Sequence, residues 1–388
     1  MMPSQKRIIS YLSVFVVTVA YATLAFSQSL TRREIRIPDI PGYLTLKCDF
    51  HIHTVFSDGE VWPTTRAMEA WMTGLDAFAI TDHLEYLAHK DDIKADRNRS
   101  YDLVKTQATA LGLITIKAAE ITKSMPPGHM NILFIKDAEP INQEDWRAAV
   151  KAAIDQGAFL IWNHPGWRGQ QPDGVARWYA EHSELLNNKW MQGIEVFNSV
   201  EYYPEAHKWA LEKKLTMFGN SDAHEPIHLS YDDAAGEHRP VTLVFAKERT
   251  EQGIKEALLS GRTAVYCNDE LIGEAEYLKP LFDNSISVRD RSLRIVGRGG
   301  ASIQIANNSD FDFHLVAEGT AEDVIAPPAI DLRANRTTLF IIRAVSGKRS
   351  ERKTVGLHYR IRNLKIAPDQ GLPVVFEFDI TFVAQEKQ

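Results

Sequence analysis

The chain has 388 residues, too many for one small module, and its 44% hydrophobic and 24% charged residues are an ordinary globular balance. That balance excludes a disordered chain and a polytopic membrane protein. A net charge of -7 argues against a protein that grips nucleic acid by bulk charge, which needs a basic face. Two cysteines, Cys48 and Cys267, are too few for a disulfide scaffold or a four-thiolate zinc site and read as free, buried thiols.

In chain order, Lys6 and Arg7 precede an apolar run that ends near Phe26, and Ala25-Phe26-Ser27 puts small residues around a cleavage point. Residues 1–27 therefore read as a secretory signal peptide, with an uncleaved anchor as the alternative. The expectation is an exported protein, periplasmic or extracellular, with no stable membrane insertion after cleavage. From residue 43 to residue 261, short apolar runs alternate with longer amphipathic stretches that end at glycine. Strands are predicted at 44–53, 75–81, 113–121, 130–135, 158–163, 193–197, 215–219 and 241–245, and helices at 63–72, 100–111, 142–156, 204–214 and 252–260. Such repeats predict a parallel sheet with crossover helices, and this many apolar strands fit a closed barrel better than an open sheet. After Gly273 the texture changes to period-two alternation with turns at 307–310 and 346–348, and no helical pattern stands out. A small all-β sandwich is expected over 275–388.

Polar residues gather at the C-terminal ends of the predicted strands, where barrel active sites are built. His51 and His53 close the first strand two residues apart, so both face one side. Asp58 lies in the next loop and His83 ends the second strand in Thr81-Asp82-His83. Glu120 sits in Ala118-Ala119-Glu120-Ile121, a run too apolar for a charge without a partner. His129 opens the fourth strand, His164 lies in Asn163-His164-Pro165, and Asp222 and His224 lie in Ser221-Asp222-Ala223-His224. Any one of these is unremarkable, but unrelated core histidines have no reason to gather at one rim. Imidazole and carboxylate without thiolate suit Zn, Mn or Fe, and nine ligands exceed the needs of one ion, so a shared carboxylate such as Glu120 would let two divalent ions sit side by side.

The order His-x-His-Thr, Ser-Asp-Gly, Thr-Asp-His, Glu, Gly-His, Asn-His-Pro, Ser-Asp-x-His over residues 43–273 resembles the PHP (polymerase and histidinol phosphatase) superfamily. The text around residues 124–129, 163–167 and 202–207 is similar to the exported Sb-PDE-type phosphodiesterases. The resemblance implies a distorted seven-stranded (β/α) barrel, one strand fewer than counted above, with 130–135 or 241–245 the weaker candidate. It also implies three metal positions: His51, His53, Glu120 and Asp222; Glu120, His129 and His164; and Asp58, His83 and His224. The implied reaction is hydrolysis of a small phosphodiester, such as an organophosphate diester, by hydroxide held between metals. Glu120, Asp222 and His224 are the catalytic candidates, with Asp222 taking the proton from water and His224 assisting the leaving alcohol. For substrate binding the cations near the rim are Arg97, Arg99, Lys123 and Arg168, of which Arg99 and Lys123 are preferred. Trp62, Trp167, Tyr202 and Tyr203 are candidates for apolar walls. The alternatives are a phosphomonoesterase of the histidinol-phosphatase kind, an exonuclease on short oligonucleotides, and, last, a metal-binding scaffold without activity. The partner expected is a small phosphate ester rather than extended nucleic acid; the oligomeric state is open.

Overall fold

A computed structural model describes residues 29–232 and 235–385. The proposed signal peptide lies outside the described residues. Among those residues no helix is long and apolar enough to cross a membrane.

Eleven strands build the first part: β1 (Leu44–Asp49), β2 (Ala77–Ile80), β3 (Ile114–Ile121), β4 (Met130–Leu133), β5 (Phe159–Trp162), β6 (Gly193–Asn198), β7 (Glu201–Tyr202), β8 (Thr216–Asn220), β9 (Val241–Ala246), β10 (Thr263–Cys267) and β11 (Glu270–Gly273). Most are buried at every position, as expected of strands covered on both faces. The covering helices follow the apolar spacing. Pro63–Met72 starts on a proline that its first turn tolerates and buries Pro63, Arg66, Ala67 and Ala70 on one face. Glu251–Leu259 is capped by Thr250, whose hydroxyl accepts from Gly253 N–H at 2.9 Å.

The sheet is mixed, which corrects the parallel expectation. Pairs β1–β2, β2–β3, β5–β6 and β6–β8 are parallel, but β3–β4, β4–β5, β9–β1 and β10–β9 are antiparallel. The connection 122–129 is too short for a crossover helix, so β4 must return antiparallel. Both strands marked as weaker candidates form, as β4 and β9. The sheet curls until β8 meets its other side. Ile52, just past β1, bridges Ala223 in parallel, with Asp222 N–H donating to His51 C=O at 2.9 Å and His53 N–H to Ala223 C=O at 3.0 Å. Near β8, Thr242 Oγ1 donates to Gly219 C=O and Thr263 Oγ1 to Met217 C=O. Gly219 makes this approach possible, since a Cβ there would stand 2.2 Å from Val265 Cγ1.

The second part contradicts one expectation at once: Ala275–Ser285 is a helix. Leu278, Leu281, Phe282 and Ser285 are buried along one side of it, a pattern that Pro280 in its interior disguised. Nine strands follow: β12 (Ile286–Val288), β13 (Ser292–Val296), β14 (Gly300–Asn307), β15 (Phe313–Ala317), β16 (Val324–Ile325), β17 (Ala329–Leu332), β18 (Arg336–Ala344), β19 (Glu351–Ala367) and β20 (Gln370–Val383). One sheet runs β12-β14-β18-β16; the other joins β13, β20, β19, β15 and β17. β14 and β20 alternate buried and exposed, one face in the core and one in water. Phe282 meets Phe313 edge-on at 4.9 Å, locking the helix to the core. The two parts share hydrogen bonds as well as packing, because β11 pairs in parallel with β19 at Leu271–Leu364 and Ile272–Lys365.

Near that junction His314 holds Asp269 through Nε2 at 2.7 Å and Asp331 through Nδ1 at 2.8 Å. Both nitrogens can donate only in the charged ring. Burial opposes the charge, but the two carboxylates outweigh it and raise the His314 pKa. A raised folded-state pKa adds stability that is complete below the ordinary histidine value and fades as pH rises through the raised one. The thermal midpoint of His314→Asn should thus fall short of wild type at mildly acid pH and converge with it in alkali. Gly219→Ala should lower stability by about 1–3 kcal/mol in urea unfolding, because the extra carbon overpacks the β8–β10 contact.

Candidate metal centre

All nine sequence candidates converge at one end of the curled sheet. Glu120 is the hub: fully buried, its Oε2 lies 3.6 Å from both His51 Nε2 and His53 Nε2 and 2.8 Å from His83 Nδ1. Its Oε1 lies 3.1 Å from His129 Nδ1 and 3.8 Å from His164 Nε2. Asp222 Oδ1 is 3.1 Å from His51 Nε2 and 3.0 Å from His53 Nε2. Asp58 Oδ1 is 3.3 Å from His224 Nε2, and Asp58 Oδ2 is 3.5 Å from His83 Nε2. Four groups have ligand atoms within 4.8 Å of one another: His53–Asp58–His83–His224, His51–His53–Glu120, His51–His164–Asp222 and His83–Glu120–His129.

The donor set fits a divalent cation. Bonds of about 2.0–2.1 Å in a tetrahedral site put ligand atoms about 3.3 Å apart, near the separations around Glu120 and Asp222. The Nε2 atoms of His51 and His53, Glu120 Oε2, Asp58 Oδ1 and His129 Nδ1 are buried without a hydrogen bond. Atoms of this kind are rarely left so unless something else satisfies them. The protonation pattern is conflicted in the same way. Burial would raise the Glu120 carboxyl, but His83, His129 and His51 hold it well below its usual range. Burial, with His83 and His224 facing it, pushes His53 down to about 3. His83 is raised to about 10 against burial, mainly by Glu120 and Asp58. Metal binding at neutral pH must therefore displace protons from this cluster.

Several residues that sequence reasoning passed over hold the ligands in place. Arg66 is buried and donates to the carbonyls of His53, Ala223, His224 and Glu225, tying both ligand loops together. Asp82 accepts from Thr54 N–H at 2.7 Å and Ser57 Oγ at 3.0 Å, fixing the loop that carries Asp58. Gly59 lets that loop fold back, since a Cβ would lie 2.6 Å from the His53 carbonyl carbon. Asn163 Nδ2 donates to Glu120 Oε1 at 2.8 Å, and Glu195 meets His51 Nδ1 at 2.9 Å. Glu195 carried a readable signal, a carboxylate inside the apolar strand Gly193–Asn198, the same argument that singled out Glu120. His164 (φ 25°) and Asp222 (φ 53°) have positive φ, a strain that clusters at functional sites.

A cleft of about 490 Å³ opens over the ligands, lined also by Trp167, Arg168, Val200, Glu201 and Tyr203. The preferred substrate-binding pair needs correction, because neither Arg99 nor Lys123 lines this cleft. Lys123 Nζ pairs with Glu85 at 2.8 Å and donates to the carbonyls of Gln143 and Glu144. Arg99 opens the helix Arg99–Ala110 and is exposed. Arg168 is the rim cation at the cleft, 3.8 Å from Glu201. Of the aromatic candidates, Trp167 and Tyr203 line it and Trp62 and Tyr202 do not.

Because Glu120 touches five histidines, Glu120→Gln should lose more bound metal per chain than His129→Ala. Elemental analysis after dialysis would measure it, and equal metal content in the two variants would contradict the hub role.

Known proteins resemble the chain in part or over most of its length. A family model described as an Ig-like domain matches residues 286–377. An uncharacterized protein of Methanocaldococcus jannaschii, MJ1295, is 33% identical over 198 residues, 49% of this chain and 87% of the relative. A crystal structure from Bacteroides vulgatus, of a two-domain protein containing a predicted PHP-like metal-dependent phosphoesterase, is 43% identical. The match covers 90% of this chain and all of that one, with a TM-score of 0.86. With its ligand cluster and its Ig-like second domain, the chain belongs to the PHP-like metal-dependent phosphoesterases.

Proposed function

We propose that the protein hydrolyses small phosphodiesters in a metal-dependent reaction, as an exported enzyme of the Sb-PDE type. The observation that carries this reading is the convergence of nine ligand side chains beneath a cleft whose rim adds no surplus positive charge. A phosphodiester carries one negative charge and a monoester up to two. Among the described cleft residues Arg168 is the one cation besides the histidines, and Glu201 lies beside it. A rim balanced in this way suits the monoanion and gives no track for an extended strand. We read the curled sheet as a distorted seven-stranded barrel, with β1 to β6 and β8 as its staves, and residues 43–273 and 275–388 as its two domains. Export rests on the pattern of residues 1–27.

Bound divalent cations, two or three of Mn, Zn or Fe, would lower the pKa of water and offset charge on the phosphoryl oxygens. The resemblance's three ligand sets name the residues that would hold them. Asp222 Oδ1, 3.1 and 3.0 Å from the Nε2 atoms of His51 and His53, is placed to accept a proton from the attacking water. His224 is the most exposed ligand, with 36% of its side chain accessible, and its Nδ1 is held by the Asp222 carbonyl at 2.8 Å. With both ring nitrogens engaged it would assist a departing alcohol by orienting it from the cleft side rather than by giving up a proton. Trp167, 43% exposed, lies 5.6 Å from His129 and 5.4 Å from His164, an apolar wall for the second ester group.

The test is kcat/KM of Mn- or Zn-loaded protein on an aryl phosphodiester, the matching monoester and a short oligonucleotide. The diester should lead by about tenfold or more, a barrier difference of about 1.4 kcal/mol. A monoester preference would move the enzyme to the phosphatase reading, and an oligonucleotide preference to the exonuclease reading. Glu201→Gln, which frees the charge of Arg168, should raise monoester turnover relative to diester.

A further inference from the structure

Glu195 differs from the other groups behind the ligands. It lies in β6 with no exposed surface, and its two oxygens meet four N–H donors. Oε1 accepts from His51 Nδ1 and Asn220 Nδ2, each at 2.9 Å. Oε2 accepts from the His164 backbone N–H at 2.7 Å and Asn198 Nδ2 at 2.9 Å. Amide and carboxamide nitrogens only donate, so these partners demand an acceptor on both oxygens. The carboxylate in turn keeps hydrogen on His51 Nδ1 and leaves Nε2 bare, and that Nε2 is one of the buried atoms without a hydrogen bond. The bond to His164 N–H also offsets part of the backbone strain at its φ of 25°. His51 and His164 belong, with Asp222, to one candidate ligand group. At the other end of the site, His83 Nδ1 meets the Thr122 hydroxyl at 2.6 Å as well as Glu120 Oε2 at 2.8 Å.

We propose that Glu195 is a positioning residue that sets metal affinity wherever His51 and His164 are ligands, through the tautomer of His51 and the backbone of His164, and leaves the Asp58–His83–His224 set largely unaffected. It does not touch substrate. The inference rests on the metal-dependent reading of the site but not on which ester is cleaved.

Glu195→Gln presents an NH2 where two donors point, so it breaks the pattern while conserving shape. Zn titration of the metal-stripped protein by calorimetry reads the effect. The binding phases that use His51 and His164 should weaken by about 10–100-fold, as loss of an outer-shell partner does, while the phase that Thr122→Val weakens stays near wild type. Glu195→Asp should restore part of the loss, and imidazole 15N shifts of the Zn-loaded wild type should show His51 with hydrogen on Nδ1. Unchanged affinity in Glu195→Gln overturns the inference. So does an equal loss in every phase with a lowered thermal midpoint, which is the mark of a merely structural residue. Should Glu195→Gln fail to fold, Asn198→Ala removes one donor, and a loss confined to the phases that use His51 and His164 is then expected. A wild type that binds no Zn overturns the metal reading and this inference together.

Discussion

The rest of the site depends on one buried charge. Glu120 lies inside a strand with no exposed surface, and an isolated carboxylate there would cost several kcal/mol. Five histidines surround it, and they cannot all be protonated to balance it, because they also crowd one another: His53 and His83 sit at 4.5 Å, and His129 and His164 at 5.0 Å. Protons alone therefore leave the cluster in conflict, with His83 raised and His53 lowered side by side. Divalent cations resolve that conflict in one stroke, since they turn every imidazole neutral and every carboxylate into a ligand.

Holding such a cluster requires rigidity that the strands cannot supply by themselves, because most of the ligands sit past the strand ends, on loops. The chain solves this with buried polar groups that face the loop backbones. Arg66 gathers carbonyls from both the His53 and the His224 loops, and Asp82 captures Thr54 and Ser57. The Asn163 side chain bridges Glu120 and the Asn131 backbone. These groups meet full sets of partners, which is the condition under which buried polar networks rigidify a site. The backbone N–H groups of His164 and Asp222, both at positive φ, are held in turn by the Glu195 carboxylate and the His51 carbonyl.

The ligands were legible in the sequence because most are polar residues at the ends of apolar runs, and their joint order is specific. Their supports were not, because Asn163, Asp82 and Arg66 look like ordinary turn and helix residues until the loops are folded. Glu195 was the exception, legible by burial and passed over. Element positions followed hydrophobic periodicity well for Pro63–Met72 and Pro204–Lys213. Strand direction did not, since it depends on loop length, as at 122–129. The helix Ala275–Ser285 was masked by Pro280, and β10 and β11 fell between the last predicted helix and the predicted sandwich. The substrate-side cations failed for a different reason. Lys123 is close to Glu120 in sequence, but its stem turns outward to Glu85 and two carbonyls, a choice made by tertiary neighbours that no spacing reveals.

The division of labour that results separates charge from shape. The buried cluster collects the carboxylates and imidazoles, and with ions bound it supplies the positive field on which phosphoryl chemistry depends. The rim adds little to that field, because Arg168 is balanced by Glu201. What the rim contributes is a fixed surface. Gly169 lies so close to the Trp167 indole that a Cβ would stand 2.5 Å from it, so the ring rests on bare backbone and packs toward His129 and His164. On the proposed reading, a wall so defined would discriminate by the size and polarity of an ester group, not by attracting charge. That is the property a diesterase needs, since its substrate differs from a monoester by one apolar substituent and one lost charge.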